Sequence, residues 1–275
     1  MTRRAFVAGW PIAHSRSPRI HRFWLKRYGI DGDYFPEAVA PDAITAFLQN
    51  FAEKGYVGGN VTLPHKQAAF RASAVTTPIA GRLEAANTLW LEDGRLHGDN
   101  TDAYGFTANL DERAPDWRRG SRALVIGAGG ASRAVLQALI DASFKSVVVL
   151  NRTPARADAL AAHFGGPVLA GGMDRLTDVL PDSDLIINAS SAGLHDGESV
   201  FIPWASANRR AVATDLTYVP LITPFLRGAS GSGLAIADGL GMLLHQAVPG
   251  FERWFGVRPT VDAELREHIA VDLKG

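Results

Sequence analysis

Three polar clusters in the first hundred residues carry side chains that could move a proton or hold a small anion. In Asn60-Val61-Thr62-Leu63-Pro64-His65-Lys66 a lysine follows a proline that suits a helix start. A cation there opposes the positive end of the helix dipole, at a cost of a few tenths to about 1 kcal/mol, and the same field eases loss of its proton. Lys66 is thus either a solvated surface charge or a proton carrier. Gly98-Asp99-Asn100-Thr101-Asp102 is rich in capping residues and precedes a helix expected near Tyr104. Asp102 either caps that helix or partners Lys66, so that the pair relays a proton and holds a substrate hydroxyl. Ala86-Asn87-Thr88 adds an amide at the start of a strand. In His14-Ser15-Arg16-Ser17-Pro18, Ser17 is expected at the cap and Pro18 at the first position of a helix. Ser15 and Ser17 could also donate to a carboxylate near that positive helix end.

A fourth cluster lies near the middle. Leu124-Val125-Ile126-Gly127-Ala128-Gly129-Gly130-Ala131-Ser132 reads as a buried strand, a glycine turn and a helix. Gly127 permits the tight turn, Gly129 lets a pyrophosphate approach the backbone, and the helix start offers free N–H groups. Ser132 stands where a third glycine or an alanine is usual. The next strand ends in Asn151-Arg152-Thr153, without the acid that would hold a ribose 2′-hydroxyl. Arg152 and Arg156 can instead fork around a 2′-phosphate, so the expected cofactor is NADP rather than NAD. The eight histidines show no metal-ligand spacing, and no metal site is expected.

The elements that must position these residues are short β-branched runs alternating with helix-like stretches, the pattern of α/β units around a parallel sheet. The first half reads as strands at 5–9, 33–36 and 59–62, with helices at 18–28, 42–54 and after Pro64. Asp93-Gly94 marks a hairpin turn between 88–91 and 95–98. The polar, proline-containing segment 111–120 reads as a domain boundary. The second half repeats strands at 123–126, 147–150, 185–188, 211–215 and 234–237, with helices at 131–142 and 154–163 and an amphipathic stretch at 239–255. With 275 residues, nearly half of them apolar, the chain can form one large or two medium domains. It has no cysteine, which excludes disulfides, thiolate metal sites and a cysteine nucleophile. Basic and acidic residues balance at 28 each, so neither nucleic acid nor a membrane surface is an expected partner. The apolar run after Arg4 ends at Pro11, too short for a secretory signal, and the expected location is cytoplasmic.

Together these motifs resemble the shikimate dehydrogenase family nearly end to end. The likeness rests on Gly9 to Pro18, Asn60 to Lys66, Ala86 to Leu89, Asn100 to Asp102, Gly127 to Ala131, Asn151 to Thr153, Asn188 to Ser190, Asp215 to Tyr218 and Asp238 to Gln246, in that order. It implies two α/β domains with a cleft between them: a substrate-binding and catalytic domain at 1–105 and 240–275, and a Rossmann-type NADP-binding domain at 106–239. It implies that Ser15 and Ser17 hold a substrate carboxylate and that Thr62, Asn87, Tyr218 and Gln246 contact the ring and its hydroxyls. Lys66 and Asp102 would be the catalytic pair. Gly127, Ala128, Gly129, Gly130 and Ala131 would take the pyrophosphate, and Asn151, Arg152, Thr153 and Arg156 the adenosine end. Ala189, Leu216, Gly239 and Met242 would lie near the nicotinamide. Arg22 and Glu84 depart from the family pattern, which commonly has Asn and Gly there; both lie beside the matched contacts.

The implied reaction is reversible reduction of 3-dehydroshikimate to shikimate with NADPH, a step of aromatic amino-acid biosynthesis. Lys66 and Asp102 would act as a coupled pair, so sequence does not assign the formal acid to one of them. Two alternatives stand beside this reading: a dehydrogenase of quinate or a related cyclohexane carboxylate, and a non-catalytic NADP-binding sensor, against which the retention of both Lys66 and Asp102 argues. The partner is a small molecule, and the protein a monomer or homodimer.

Overall fold

The structure is a computed structural model that describes residues 2–190, 200–271 and 273. The chain forms two compact units, Met1–Asp102 with Gln246–Ile269, and Ala103–His245 with Ala270–Gly275.

The first unit contains strand β1 (Arg3–Gly9), helix α1 (Ser17–Tyr28), β2 (Gly32–Ala38), α2 (Ile44–Asn50), β3 (Tyr56–Val61), α3 (Lys66–Ala72), β4 (Val75–Thr76), α4 (Pro78–Leu83), β5 (Thr88–Glu92) and β6 (Arg95–Asp99). Its sheet runs β2-β1-β3-β5-β6-β4. Strands β1, β2 and β3 are parallel, whereas β5 lies antiparallel to both β3 and β6. The sheet is therefore mixed rather than parallel, because the expected hairpin, turning at Asp93 (φ 50°) and Gly94 (φ 72°), reverses the chain. Phe6 in β1 packs between Phe47, Phe51 and Tyr56, with ring centroids 5.0–5.3 Å apart.

Register decides what this sheet presents at one end. Ala8 pairs with Val61 across β1 and β3, so the segments after both strands leave side by side, and the Trp10 N–H donates to the Leu63 carbonyl. Asn60 pairs with Thr88, and Thr88 with Asp99. The start of β5 and the end of β6 therefore lie at the same end of the sheet as the carboxyl end of β3, which brings Asn87 and Asp102 to the end from which the chain leaves toward Lys66.

The second unit contains α5 (Asp102–Arg113) apart from its first residue, β7 (Arg122–Ile126), α6 (Gly130–Asp141), β8 (Ser146–Asn151), α7 (Pro154–Phe164), β9 (Val168–Gly172), α8 (Leu176–Val179), β10 (Leu185–Asn188), β11 (Val212–Asp215), α9 (Pro224–Gly231), β12 (Ala235–Ala237) and the beginning of α10 (Leu240–Phe255). The order β12-β11-β10-β7-β8-β9, all parallel, is that of a doubly wound dinucleotide-binding sheet, and its order reverses between β7 and β10. Its strands are buried along most of their length, as their unbroken apolar runs require.

The segment 111–120 is itself folded. Helix α5 runs to Arg113, and a 3₁₀ turn at Pro115–Arg119 buries Trp117, whose indole N–H donates to Asp111 at 2.7 Å. Six elements escaped the sequence reading: β4, α4, α8, β9, α9 and the terminal helix. Strand β9 is glycine-rich and lies at the sheet edge, β4 has two residues, and the terminal helix α11 (Ala263–Ala270) is amphipathic but short. That last helix is clamped onto α1: Arg27 donates to Asp262 and Glu264, each at 2.6 Å, and Arg19 to the His268 carbonyl at 2.7 Å.

Candidate active site

In the first unit Lys66 and Asp102 meet. Lys66 opens α3 and Asp102 opens α5, and the Lys66 Nζ donates to Asp102 Oδ2 at 2.5 Å. Their side chains retain 24% and 12% of their exposure, so the pair is mostly desolvated but reachable. Asp102 does not cap its helix; the Asn100 Oδ1 accepts its N–H instead, at 3.0 Å. The carboxylate is thereby left for other partners.

Asn87 is buried and fully used by the protein. Its Nδ2 donates to Asp102 Oδ1 at 2.8 Å, and its Oδ1 accepts the Thr101 N–H at 2.9 Å. Because a backbone N–H can only donate, this bond fixes which way the amide faces. Thr101 in turn donates its hydroxyl proton to the Gln246 carbonyl at 2.8 Å. Beneath this layer Tyr34 donates to Asn60 Oδ1 at 2.6 Å, and the Asn60 Nδ2 to the Asn87 carbonyl at 3.0 Å. Asp102 thus accepts from Lys66 on one oxygen and from a locked amide on the other. Thr101, Asn100 and Asn60 were legible only as motif members; nothing in their spacing revealed these bonds.

Ser17 is the first residue of α1 and Pro18 the second, so the expected cap is displaced by one. The cap is Arg16, whose side chain does not cap the helix, and the Ser15 Oγ receives the Ser17 N–H at 3.4 Å. Thr62 is half-buried at the end of β3, with its N–H on the Ala8 carbonyl. Gln246 is half-buried in α10.

In the second unit Gly127 has φ 108°, and a Cβ there would lie 2.7 Å from the Ser190 nitrogen, so no other residue fits this turn. Cβ atoms built on Gly129 and Gly130 would meet open space. The Ser132 hydroxyl donates to the Gly127 carbonyl at 2.8 Å and accepts the Gly129 N–H at 3.1 Å. The serine that departs from the usual pattern is therefore the lock of the turn. Asn151 accepts the Ala128 N–H at 3.1 Å and donates to the Thr153 carbonyl at 2.9 Å, so it braces the glycine turn rather than standing free for a ligand. The helix amides left without an intrahelical partner are those of Gly130 and Ala131. Arg152, Thr153 and Arg156 are exposed, and neither arginine side chain forms an ion pair among the described residues. An open glycine turn beside two uncommitted guanidinium groups fits a dinucleotide bearing an extra phosphate.

At the same strand ends the Ala189 N–H donates to Ile126 and the Leu216 N–H to Asn188. Gly239 is a close-approach site: a Cβ there would lie 2.6 Å from the carbonyl oxygens of both Asp215 and Leu216. Buried Asp215 ties these loops together by accepting from Asn188, Thr223 and the Thr217 N–H at 2.7–3.0 Å. Burial pushes its carboxyl above the ordinary range, against the pull of those donors. Tyr218 and Met242 are half-buried nearby in sequence. No helix among the described residues is long and apolar enough to cross a membrane.

Fold and glycine turn define an NADP-type α/β oxidoreductase. Residues 7–89 match the family described as shikimate dehydrogenase substrate binding domain, 110–200 that described as shikimate / quinate 5-dehydrogenase, and 239–263 that described as shikimate 5′-dehydrogenase C-terminal domain. The shikimate dehydrogenase (NADP(+)) of Brucella melitensis biotype 2 is 54% identical, over 98% of this chain and 95% of its own. That of Azorhizobium caulinodans is 53% identical over 98% and 97%. The solved shikimate 5-dehydrogenase of Thermus thermophilus, in complex with NADP(H) and shikimate, superposes with a TM-score of 0.87 at 38% identity, covering 99% of this chain and 100% of that one. The quinate dehydrogenase of Corynebacterium glutamicum in complex with NAD superposes with a TM-score of 0.90 at 26% identity, covering 98% and 99%. The chain belongs to the shikimate dehydrogenase family.

Proposed function

We propose that this protein catalyses the reversible NADPH-dependent reduction of 3-dehydroshikimate to shikimate, a step of aromatic amino-acid biosynthesis. The observation that carries the reading is the Lys66–Asp102 ion pair, locked by Asn87, in a chain 54% identical to an NADP-dependent shikimate dehydrogenase. Bound NADPH supplies the hydride. Lys66 stabilises the oxyanion that develops on the carbonyl oxygen and gives it a proton. Asp102, oriented by Asn87, holds Lys66 in place and accepts from a neighbouring substrate hydroxyl. Ser15 and Ser17 hold the carboxylate, and Thr62, Asn87, Tyr218 and Gln246 surround the ring. Gly127 to Ala131 take the pyrophosphate, with Asn151 and Thr153 shaping the pocket in which Arg152 and Arg156 meet the 2′-phosphate. Ala189, Leu216, Gly239 and Met242 flank the nicotinamide. The reading includes a cytoplasmic enzyme acting as monomer or homodimer, its two domains divided near 105 and 240.

The second reading is quinate as substrate, favoured by the match of residues 110–200 to a shikimate / quinate family. The deciding experiment follows NADPH formation by absorbance with purified protein and shikimate or quinate, each with NADP or NAD. Turnover confined to shikimate and NADP is expected. Preference for quinate or NAD would overturn the specificity, and NADP binding without turnover on any substrate would point to a sensor.

A further inference from the structure

We infer that His65 is a positioning residue for Lys66, acting through one bond from its ring to the end of a neighbouring strand. His65 is 2% exposed and stands immediately before the first residue of α3. Its Nε2 lies 2.7 Å from the Val39 carbonyl oxygen. A carbonyl only accepts, so the ring proton sits on Nε2 and the imidazole is the donor.

Helix α3 cannot fix Lys66 by itself. It has seven residues, no side-chain cap bond and no acidic residue in its first turn. So short a helix is marginal without tertiary support, and its dipole opposes a cation at its first position. The support comes from outside on two sides. The Lys66 carbonyl accepts the Ala86 N–H at 2.9 Å, which ties it to the residue before Asn87. On the other side the His65 ring reaches across to Val39, whose own N–H donates to Gly9 at the end of β1. His65 therefore refers the start of α3 to the β1–β2 edge of the sheet, while Ala86 refers it to Asn87 and Asp102. With the ring donor gone, the helix start keeps on that side only the backbone bonds of the residues before it, Thr62 to Ala8 and Trp10 to Leu63, and loses the one tie made by its own side chain. A misplacement of about 1 Å in a reacting group costs up to about a hundredfold in rate.

The inference rests on the reading of Lys66 as the residue that handles the proton. The test compares His65→Gln, His65→Asn and His65→Leu in the full-length protein, with Lys66→Met as reference. A glutamine amide nitrogen falls where the imidazole Nε2 lies, whereas an asparagine amide falls short yet caps a helix well. Steady-state kinetics with shikimate and NADP, NADP binding and thermal unfolding are measured for each. We expect H65L and H65N to lower kcat about tenfold or more, with KM for shikimate and NADP affinity within about twofold, and H65Q to stay within about threefold of wild type. Should H65L not fold, the contrast between H65N and H65Q decides. Wild-type kcat in H65L or H65N, an equal fall in H65Q, or a loss confined to KM would overturn the inference. Retained turnover in Lys66→Met would instead overturn the reading beneath it.

Discussion

Lys66 donates to Asp102 at 2.5 Å across 36 residues of chain, and each is the first residue of its helix. The two helix dipoles treat them oppositely: the field at the start of α5 favours the Asp102 carboxylate, and that at the start of α3 disfavours the Lys66 ammonium. The carboxylate thus compensates the lysine's poor position. An ammonium held this way keeps two further N–H donors for a substrate oxygen.

Replacing Lys66 by Met, or Asp102 by Asn, is expected to lower kcat by about 10²–10⁴ while KM for shikimate changes only a few-fold, since both act mainly in the transition state. Steady-state kinetics check this. A variant that lost affinity but kept kcat would reassign the residue to ground-state binding.

Arg152 and Arg156 are committed to no ion pair among the described residues. Alanine at either position should raise KM for NADP about tenfold and leave KM for NAD nearly unchanged, because only the 2′-phosphate needs the guanidinium fork. An equal rise for both cofactors would place the arginines on the shared pyrophosphate instead.

His21 is wholly buried, stacked on Tyr34 with centroids 4.0 Å apart, and neither ring nitrogen has a hydrogen-bond partner among the described residues. Burial lowers its pKa from 6.5 to about 3, with the nearby Asn60 side chain pulling the other way. Between those values the unfolded chain binds a proton that the folded chain refuses. Its contribution is therefore complete above pH 6.5 and is lost progressively as pH falls toward 3, by about 1.4 kcal/mol per pH unit. Thermal melts should fall more steeply over that range for wild type than for His21→Phe, and parallel curves would contradict the assignment.

Glu84 closes α4 in the left-handed conformation, φ 52° and ψ 35°. Its N–H donates to Gly81 and that of Ala85 to Ala80, the bonding of a helix end that normally carries glycine. This gives a physical reason for the glycine usual at that position. Glu84→Gly should raise stability by up to about 1 kcal/mol, read from denaturant unfolding. A loss of similar size would mean that the glutamate side chain contributes more than its backbone strain costs.

Much of the second unit was legible in the sequence because its strands are buried on both faces and read as unbroken apolar runs, and because Gly127 has a backbone conformation that few residues adopt. Strand β9 was not, since Val168-Leu169-Ala170-Gly171-Gly172 at an edge has neither the length of apolar run nor the alternation that marks a strand. In the first unit the motifs around Ser15, Lys66, Asn87 and Asp102 stood out by residue type, and the type of each bounded the chemistry it could do. Which polar groups were spent and which were left free was decided only by the tertiary structure. Asn100 takes the capping role that Asp102 could have filled, Ser132 turns a departure into a lock, and the Thr101 N–H chooses the face that Asn87 shows to Asp102. Local sequence sets how many donors and acceptors a side chain carries. Sheet register and helix placement, governed by burial far along the chain, determine where each one is used.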